Sequence, residues 1–171
     1  MELRFRKCTT QDLEELLRIS RKTFIDAFEA VNEPEDFWAY MDKAFSRESL
    51  TEQLNNKNVH FYFAFLNDEL TGYFKLNEAG AQTDINDKDS IEIERIYVLE
   101  EHQGKRLGQR FLEEITAIAK RKNAGYLWLG VWEHNTGAIR FYERYGFEKS
   151  GTHAYVLGND VQTDWLMKKE V

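Results

Sequence analysis

Between Ile91 and Ala119 the chain changes hydrophobic period once, and what joins the two periods narrows the folds open to it. Ile91 to Val98 reads as a strand, with Glu92 and Glu94 on one parity and Arg95 and Tyr97 near the other. Leu107, Phe111, Leu112, Ile115, Ile118 and Ala119 then recur at helical spacing and stop near Asn123-Ala124-Gly125. The connection, Leu99 to Arg106, ends in Gln103-Gly104-Lys105-Arg106 and runs into Leu107-Gly108. A strand therefore delivers a basic, glycine-containing turn to a helix start. Such a start offers unpaired backbone N–H groups and the positive end of the helix dipole, and glycine lets a phosphate come close to the backbone. That suits a pyrophosphate, although the same turn taken alone fits a solvated loop equally well.

The flanking pattern is a regular mixture of strands and helices. Leu3 to Lys7 alternates apolar and basic residues as an edge-type strand, and Thr9 with Asp12 forms a capping-box start to a helix carrying Leu13, Leu16, Leu17, Phe24 and Phe28. Two shorter helices are expected from Glu33 to Asn56, opening at Pro34 and at Ser46-Arg47-Glu48. Val59 to Leu66 and Leu70 to Glu78 read as a hairpin turned at Asn67-Asp68-Glu69, followed by a polar loop from Ala79 to Asp89. Tyr126 to Val131 is a short buried strand, and Asn135 precedes a helix through Tyr145 that Gly146 closes. Two strands near His153 to Leu157 and Val161 to Lys168, turned by Gly158-Asn159-Asp160, end the pattern.

Composition excludes several classes. The 171 residues suit one domain, expected to be residues 1–171, and show no repeat, low-complexity tract or linker. A formal charge of -7 disfavours nucleic acid and anionic membranes and favours cationic ligands. Neither an apolar leader nor a run of roughly 20 apolar residues is present, so a cytoplasmic location without membrane attachment is expected. Cys8 is the single cysteine, and His60, His102, His134 and His153 are not spaced as zinc ligands, so no metal is expected.

A second constellation follows the buried strand: Gly130-Val131-Trp132-Glu133-His134-Asn135, then Ala138 to Phe147 as Ala-Ile-Arg-Phe-Tyr-Glu-Arg-Tyr-Gly-Phe. Asn135 is a natural helix N-cap, and Phe141 and Tyr142 would project toward the sheet, where an aromatic core pair is the plain reading. With both blocks in this order and at this separation, the chain resembles the GNAT superfamily of N-acetyltransferases over nearly its whole length, most specifically from Ser90 to Phe147.

That resemblance implies an α/β (α+β) GNAT fold: a mixed, mostly antiparallel sheet, splayed after the Ile91 to Val98 strand, with helices on both faces. It implies acetyl-CoA as cosubstrate, with Ile96, Tyr97 and Val98 beside the acetyl and pantetheine groups and the Val98 N–H facing the thioester oxygen. Gln103, Gly104, Lys105, Arg106, Leu107 and Gly108 would hold the pyrophosphate. Arg106 stands where the family's loop pattern has glycine. Asn135 would bond the pantetheine arm, Ala138 and Tyr142 would line it, and Tyr142 matches the position that protonates the departing thiolate. Direct transfer needs a neutral amine, while an alkylammonium has a pKa of about 10.4, so a carboxylate, directly or through water, should take its proton. Glu92, at the widespread family position, and Glu94, closer to the thioester, are the candidates, with pairing to Arg95 or a lysine as the structural alternative.

Phe45-Ser46-Arg47-Glu48-Ser49-Leu50, the run Ile91 to Val98, Trp128-Leu129-Gly130-Val131-Trp132-Glu133 and Gln162-Thr163-Asp164 further resemble bacterial polyamine N-acetyltransferases of the PaiA type. The implied acceptor is a small amine, spermine or spermidine, with Phe28, Glu33, Glu35 and Trp38 as candidate contacts to its cations. The alternatives are acetylation of a protein N-terminus or an antibiotic amine, or a CoA-binding regulatory module without turnover. A homodimer is left open.

Overall fold

The computed structural model describes residues 2–171. Its strands are β1 (Leu3–Lys7), β2 (Val59–Leu66), β3 (Glu69–Glu78), β4 (Ser90–Val98), β5 (Tyr126–Trp132), β6 (Glu148–Leu157) and β7 (Asp160–Glu170). They form one seven-stranded sheet in the order β1-β2-β3-β4-β5-β7-β6. Every neighbouring pair is antiparallel except β4 and β5. Helices α1 (Leu13–Phe28), α2 (Pro34–Ala44) and α3 (Arg47–Asn55) pack on one face, and α4 (Leu107–Arg121) and α5 (Thr136–Arg144) on the other. This is the mixed, mostly antiparallel architecture that the resemblance implies.

The apolar spacing decides which face each element covers. On α4 the stripe Leu107, Phe111, Leu112, Ile115, Ile118 and Ala119 is buried against Phe74, Leu76, Ile91, Ile93, Leu127 and Leu129 of the sheet. On the opposite face, Leu16 and Ile19 of α1 and Leu50 of α3 close over Phe61, Phe63 and Tyr73. Phe37 and Met41, one helical turn apart on α2, join Phe24 and Phe45 in a third cluster beside Leu157.

Local chemistry sets the element ends. The capping box is present, with the Thr9 N–H donating to Asp12 at 2.8 Å, but the first turn, Thr10–Asp12, is a 3-10 turn and the α-helix begins at Leu13. The β2–β3 turn is the two-residue pair Asn67 and Asp68, both left-handed (φ 50° and 68°), so Glu69 belongs to β3. β6 starts at Glu148, earlier than its sequence shows. Its first residues are mostly exposed, and a register shift between Lys149 and Gly151 breaks their alternation.

One irregularity shapes the centre of the sheet. Lys75 pairs with Arg95 and Leu76 with Ile93, which leaves Glu94 as an extra residue, a β-bulge in β4. A bulge bends its strand and increases its twist. β4 runs beside β5 only from Ser90 to Glu92, whereas β5 stays paired with β7 from Tyr126 to Trp132. Beyond Glu92 the two parallel strands therefore separate into a cleft.

The fold tolerates no bulk where β3 passes under α4. A Cβ on Gly72 would lie 2.3 Å from the Tyr97 carbonyl oxygen and 2.9 Å from Phe111 Cζ. Gly72→Ala is expected to cost about 1–3 kcal/mol through overpacking, a fall of roughly 3–10 °C in Tm. Differential scanning calorimetry checks this, and an unchanged Tm would mean that the packing between β3 and α4 is loose.

Candidate active site

The cleft widens into a cavity of about 230 Å³. Strand β4 contributes Ile93 to Tyr97, β5 contributes Gly130 to Trp132, and α5 contributes Asn135, Ala138 and Tyr142. The opposite wall is Phe24 and Phe28 of α1, Asn32, Tyr40 of α2, and Tyr155, Leu157, Gln162 and Asp164 of the β6–β7 hairpin. A second recess of about 240 Å³, lined by Thr23, Asp26, Tyr97, Val98 and Gln103 among others, lies at the open end of β4.

Backbone parity explains what β4 offers the cleft. The Leu99 N–H donates to the Thr71 carbonyl at 2.8 Å, which makes Val98 and Gly72 a wide, non-hydrogen-bonded pair. The N–H and C=O of Val98, and by the same alternation those of Ile96, therefore point away from β3 into the gap that β5 has vacated. Gln103 Nε2 donates to the Val98 carbonyl at 3.2 Å, and the Val98 N–H remains as a donor facing the cleft.

At the far end of the cleft, α4 begins without a side-chain cap: its N-cap, Arg106, has φ 58° and ψ 22° and makes no capping bond. The first N–H groups of a fifteen-residue helix are thus available beside exposed Gln103, Gly104 and Lys105. Arg106 adopts the left-handed region that glycine occupies freely, so the departure from the family's glycine keeps the turn's shape at a cost of about 1 kcal/mol. Leu107 is buried in the core, so only its backbone faces the turn. Gly108 packs under Phe141, whose Cζ would lie 3.2 Å from an added Cβ. A recess, an inward-facing amide and a bare helix N-terminus in line fit a long thioester whose pyrophosphate sits at the helix.

On α5, Asn135 Oδ1 caps the helix by accepting the Ala138 N–H at 3.2 Å, leaving its amide nitrogen as the remaining donor. Tyr142 lies across the cleft with its ring buried against Phe141 and Phe147, and burial pushes its phenol well above the ordinary value. It stays protonated at neutral pH.

The two strand glutamates occupy different environments. Glu92 is not part of the cavity wall. It accepts the Thr83 N–H at 2.8 Å, the Thr83 hydroxyl, and Asn77 Nδ2 at 2.9 Å, and burial pushes its carboxyl up against these bonds. Glu94 reaches the cavity wall but is an ion-pair partner of buried Lys75 and, at 3.6 Å, of Arg95. Burial opposes its ionisation, yet Lys75 and Arg95 outweigh burial and hold its carboxyl down to about 2. A carboxylate so firmly ionised is a poor proton acceptor.

Of the four aromatic and acidic residues expected at the acceptor, Phe28 alone lines the cavity. Glu33 is the N-cap of α2 and accepts the Asp36 N–H at 3.1 Å. Glu35 and Trp38 are exposed, because Phe37 and Met41 take the buried side of that short helix. The cavity instead gains residues that sequence reasoning did not single out. Tyr155 donates to the Tyr40 hydroxyl at 2.6 Å, Gln162 donates to Asn32 Oδ1 at 2.9 Å, and Asp164 is a second cavity carboxylate. Asp164 and Gln162 lie in the run Gln162-Thr163-Asp164, whose period-two spacing puts both on one face of β7.

Residues 20–147 match the acetyltransferase (GNAT) family model. The chain belongs to the GNAT acetyltransferase family. It is 38% identical over 159 residues, 93% of this chain and 92% of the relative, to an uncharacterized N-acetyltransferase of Lactobacillus delbrueckii subsp. lactis. It is 24% identical over 174 residues, 99% of this chain and 98% of the relative, to the spermidine N(1)-acetyltransferase of Thermoplasma acidophilum. The crystal structure of a PaiA N-acetyltransferase from Thermoplasma acidophilum with coenzyme A superposes with a TM-score of 0.79 at 23% identity, covering 100% of both chains. This GNAT protein is an acetyl-CoA-dependent N-acetyltransferase. Among the described residues no helix is long and apolar enough to cross a membrane.

The Glu94 ion pair makes a pH-dependent contribution to stability. Its folded pKa, about 2, lies below the ordinary 4.5, so the contribution is full above pH 4.5 and is lost as pH falls toward about 2. Urea unfolding of wild type and Glu94→Gln at a series of pH values should therefore show a gap that narrows over that interval. Glu92 and Asp164, which burial shifts upward, contribute with the opposite sign but are common to both proteins. A gap constant down to pH 2 would mean that the pair does not hold Glu94 ionised.

Proposed function

We propose that this enzyme acetylates a primary amine of a polyamine of the spermidine or spermine class by direct attack on acetyl-CoA. The observation that carries the transfer step is the cleft between β4 and β5. The Val98 N–H points away from β3 toward the gap that β5 leaves, beside the recess at the end of β4, and Tyr142 of α5 lines the cavity between the strands. In this reading the Val98 N–H stabilises the negative charge that develops on the thioester oxygen, as an oxyanion donor. Gln103 to Gly108 bind the pyrophosphate through the bare N-terminus of α4, Asn135 and Ala138 position the pantetheine arm, and Ile96 and Tyr97 flank the acetyl group. The amine nitrogen forms the new C–N bond, the C–S bond breaks, and Tyr142 delivers a proton to the leaving sulfur.

The polyamine reading draws on the Thermoplasma relative and on the shape and charge of the acceptor side. Phe24, Phe28, Tyr40 and Tyr155 give an aromatic wall suited to a cationic alkyl chain. The wall ends at the Asn32–Gln162 pair, beyond which Glu29, Glu33, Glu35 and Asp160 are exposed. An ammonium at the thioester can thus extend a chain outward along aromatic rings, with its further charges beside surface carboxylates. Glu33, Glu35 and Trp38 would then act on the rim rather than in the cavity, and Trp38 would bear on the far end of the longest acceptors.

Steady-state assays with spermine, spermidine, a monoamine of similar length and a lysine-free peptide test the acceptor. The polyamines are expected to have the highest kcat/KM, with a polyamine KM that rises with ionic strength more than the acetyl-CoA KM does. Equal or higher efficiency for the monoamine or the peptide would remove the polyamine assignment and leave acetyl transfer in place. Tyr142→Phe is expected to keep acetyl-CoA affinity by calorimetry while kcat falls about 100-fold. Full turnover in that variant would reduce Tyr142 to a packing role.

A further inference from the structure

The cavity described above contains two carboxylates, Glu94 and Asp164; Glu94 is paired with Lys75 and Arg95, while Glu92, bonded to Thr83 and Asn77, is not part of the wall. Resting on the proposed transfer to an amine, we propose that Asp164 is the general base that takes the amine's proton and that His153 and Asp84 relay it to solvent.

The sheet register brings these groups together. Asp164 on β7 lies directly opposite Trp132 of β5 on one side and His153 of β6 on the other. Directly paired residues project from the same face of a sheet, so the carboxylate and the imidazole stand side by side on the cavity face. Asp164 is only 8% exposed. His153 Nε2 is 3.7 Å from Asp164 Oδ2, and its Nδ1 is 2.9 Å from Asp84 Oδ2. The Asp84 side chain is 42% exposed, so the row runs from the cavity to water. Gly130 flanks it, and a Cβ there would lie 3.2 Å from His153 Nε2 and 3.3 Å from Asp164 Oδ2. The missing side chain leaves room beside both groups, and Asp164 itself lines the cavity.

The Asp84–His153 hydrogen bond orients the ring with one nitrogen toward the outer carboxylate and the other toward Asp164. At 3.7 Å the inner step needs a short rotation or one bridging water. The charged and titratable groups around Asp164 are His153 and Tyr155 on β6, Glu94, Arg95 and Tyr97 on β4, Tyr142 on α5 and Tyr40 on α2, with Asp84 behind the imidazole. Burial pushes the Asp164 carboxyl up, with His153 opposing, which raises its basicity.

The protons balance. The ammonium gives one proton to Asp164, which passes it through His153 and Asp84 to water, and the neutral nitrogen attacks the acetyl carbon. After C–N bond formation the nitrogen loses a second proton, and Tyr142 supplies one to the sulfur, so these two exchange through the phenol. The net release is one proton per acetamide formed.

The test is a pH series of kcat and KM for wild type, Asp164→Asn, Asp164→Glu and His153→Gln with alkylamines of falling ammonium pKa. Asp164→Asn should lower kcat by about 10²–10⁴-fold for the most basic acceptors, leave the acetyl-CoA KM unchanged, and lose less as the acceptor becomes easier to deprotonate. Asp164→Glu should recover part of the rate, and His153→Gln should shift the acidic limb of the profile with a smaller loss. Wild-type turnover in Asp164→Asn, or a loss independent of acceptor pKa, would overturn the assignment. A carboxyl ¹³C NMR titration gives a readout that needs no turnover: the Asp164 midpoint should move upward in His153→Gln. An unmoved midpoint would sink the relay, whereas a wild type inert toward every amine would overturn the proposed function itself.

Discussion

The extra residue in β4 is the constraint on which the site depends. With Glu94 unopposed on β3, the apolar face of β4 switches from Ile91 and Ile93 to Ile96 and Val98, and two consecutive charged residues turn to the acceptor face. The bend carries β4 away from β5 after three paired residues, exposing the backbone groups of Ile96 and Val98 that a parallel neighbour would otherwise use. A buried bulge with two charges is costly unless they are paired. Lys75 from the facing strand and Asn77 beyond it supply the partners of Glu94, while Arg95 lies 4.4 Å from the centre of the Phe45 ring. The ion pairs that accommodate the bulge also hold the Glu94 carboxyl down, which gives this carboxylate a structural role within β4.

Much of this was legible in the sequence where period and punctuation agree. The α4 stripe and the hairpin at Asn67-Asp68 stand where their patterns put them, because each is fixed by its own residues. The bulge also leaves a trace: Ile91, Ile93, Ile96 and Val98 change parity across Glu94-Arg95, which an unbroken strand would not do. The acceptor wall left no such trace. Tyr40 meets Tyr155 across 115 positions of sequence, Asn32 meets Gln162 across 130 and Asp84 meets His153 across 69, so no local spacing announces them. The acidic segment after Phe28 misled for the converse reason. Its composition is conspicuous, but a helix of eleven residues can bury only one side, and Phe37 and Met41 claim it.

Charge is distributed unevenly between surface and cavity. The chain's formal charge is -7, yet the cavity wall holds Glu94, Asp164 and Arg95, with Lys75 behind Glu94. In the proposed reading, long-range attraction for a cationic acceptor would reside on the exposed rim, where salt screens it, and the interior would discriminate by aromatic contact and by hydrogen bonding. That division would let an ammonium enter without meeting a deep electrostatic trap, with Asp164, which has no Lys or Arg partner, as the remaining cavity carboxylate.

In the proposed reading an anion sits at the start of α4, where Arg106 takes the place of one of the family's loop glycines. Arg106 adopts a left-handed backbone that disfavours any residue with a Cβ, so the chain retains the turn's geometry at the expense of about 1 kcal/mol of conformational energy. Its gain is an exposed guanidinium at the end of the helix where the backbone N–H groups are free, next to Lys105. Glycine would let a phosphate approach the backbone more closely, while arginine adds a planar, doubly donating cation that binds phosphate bidentately. Gly104, with φ 76° and nothing within 4 Å of where its Cβ would be, keeps the open space two residues earlier in the loop. Backbone donors and side-chain charge can thus act on the same anion from adjacent residues, and the left-handed Arg106 is the geometric condition for both.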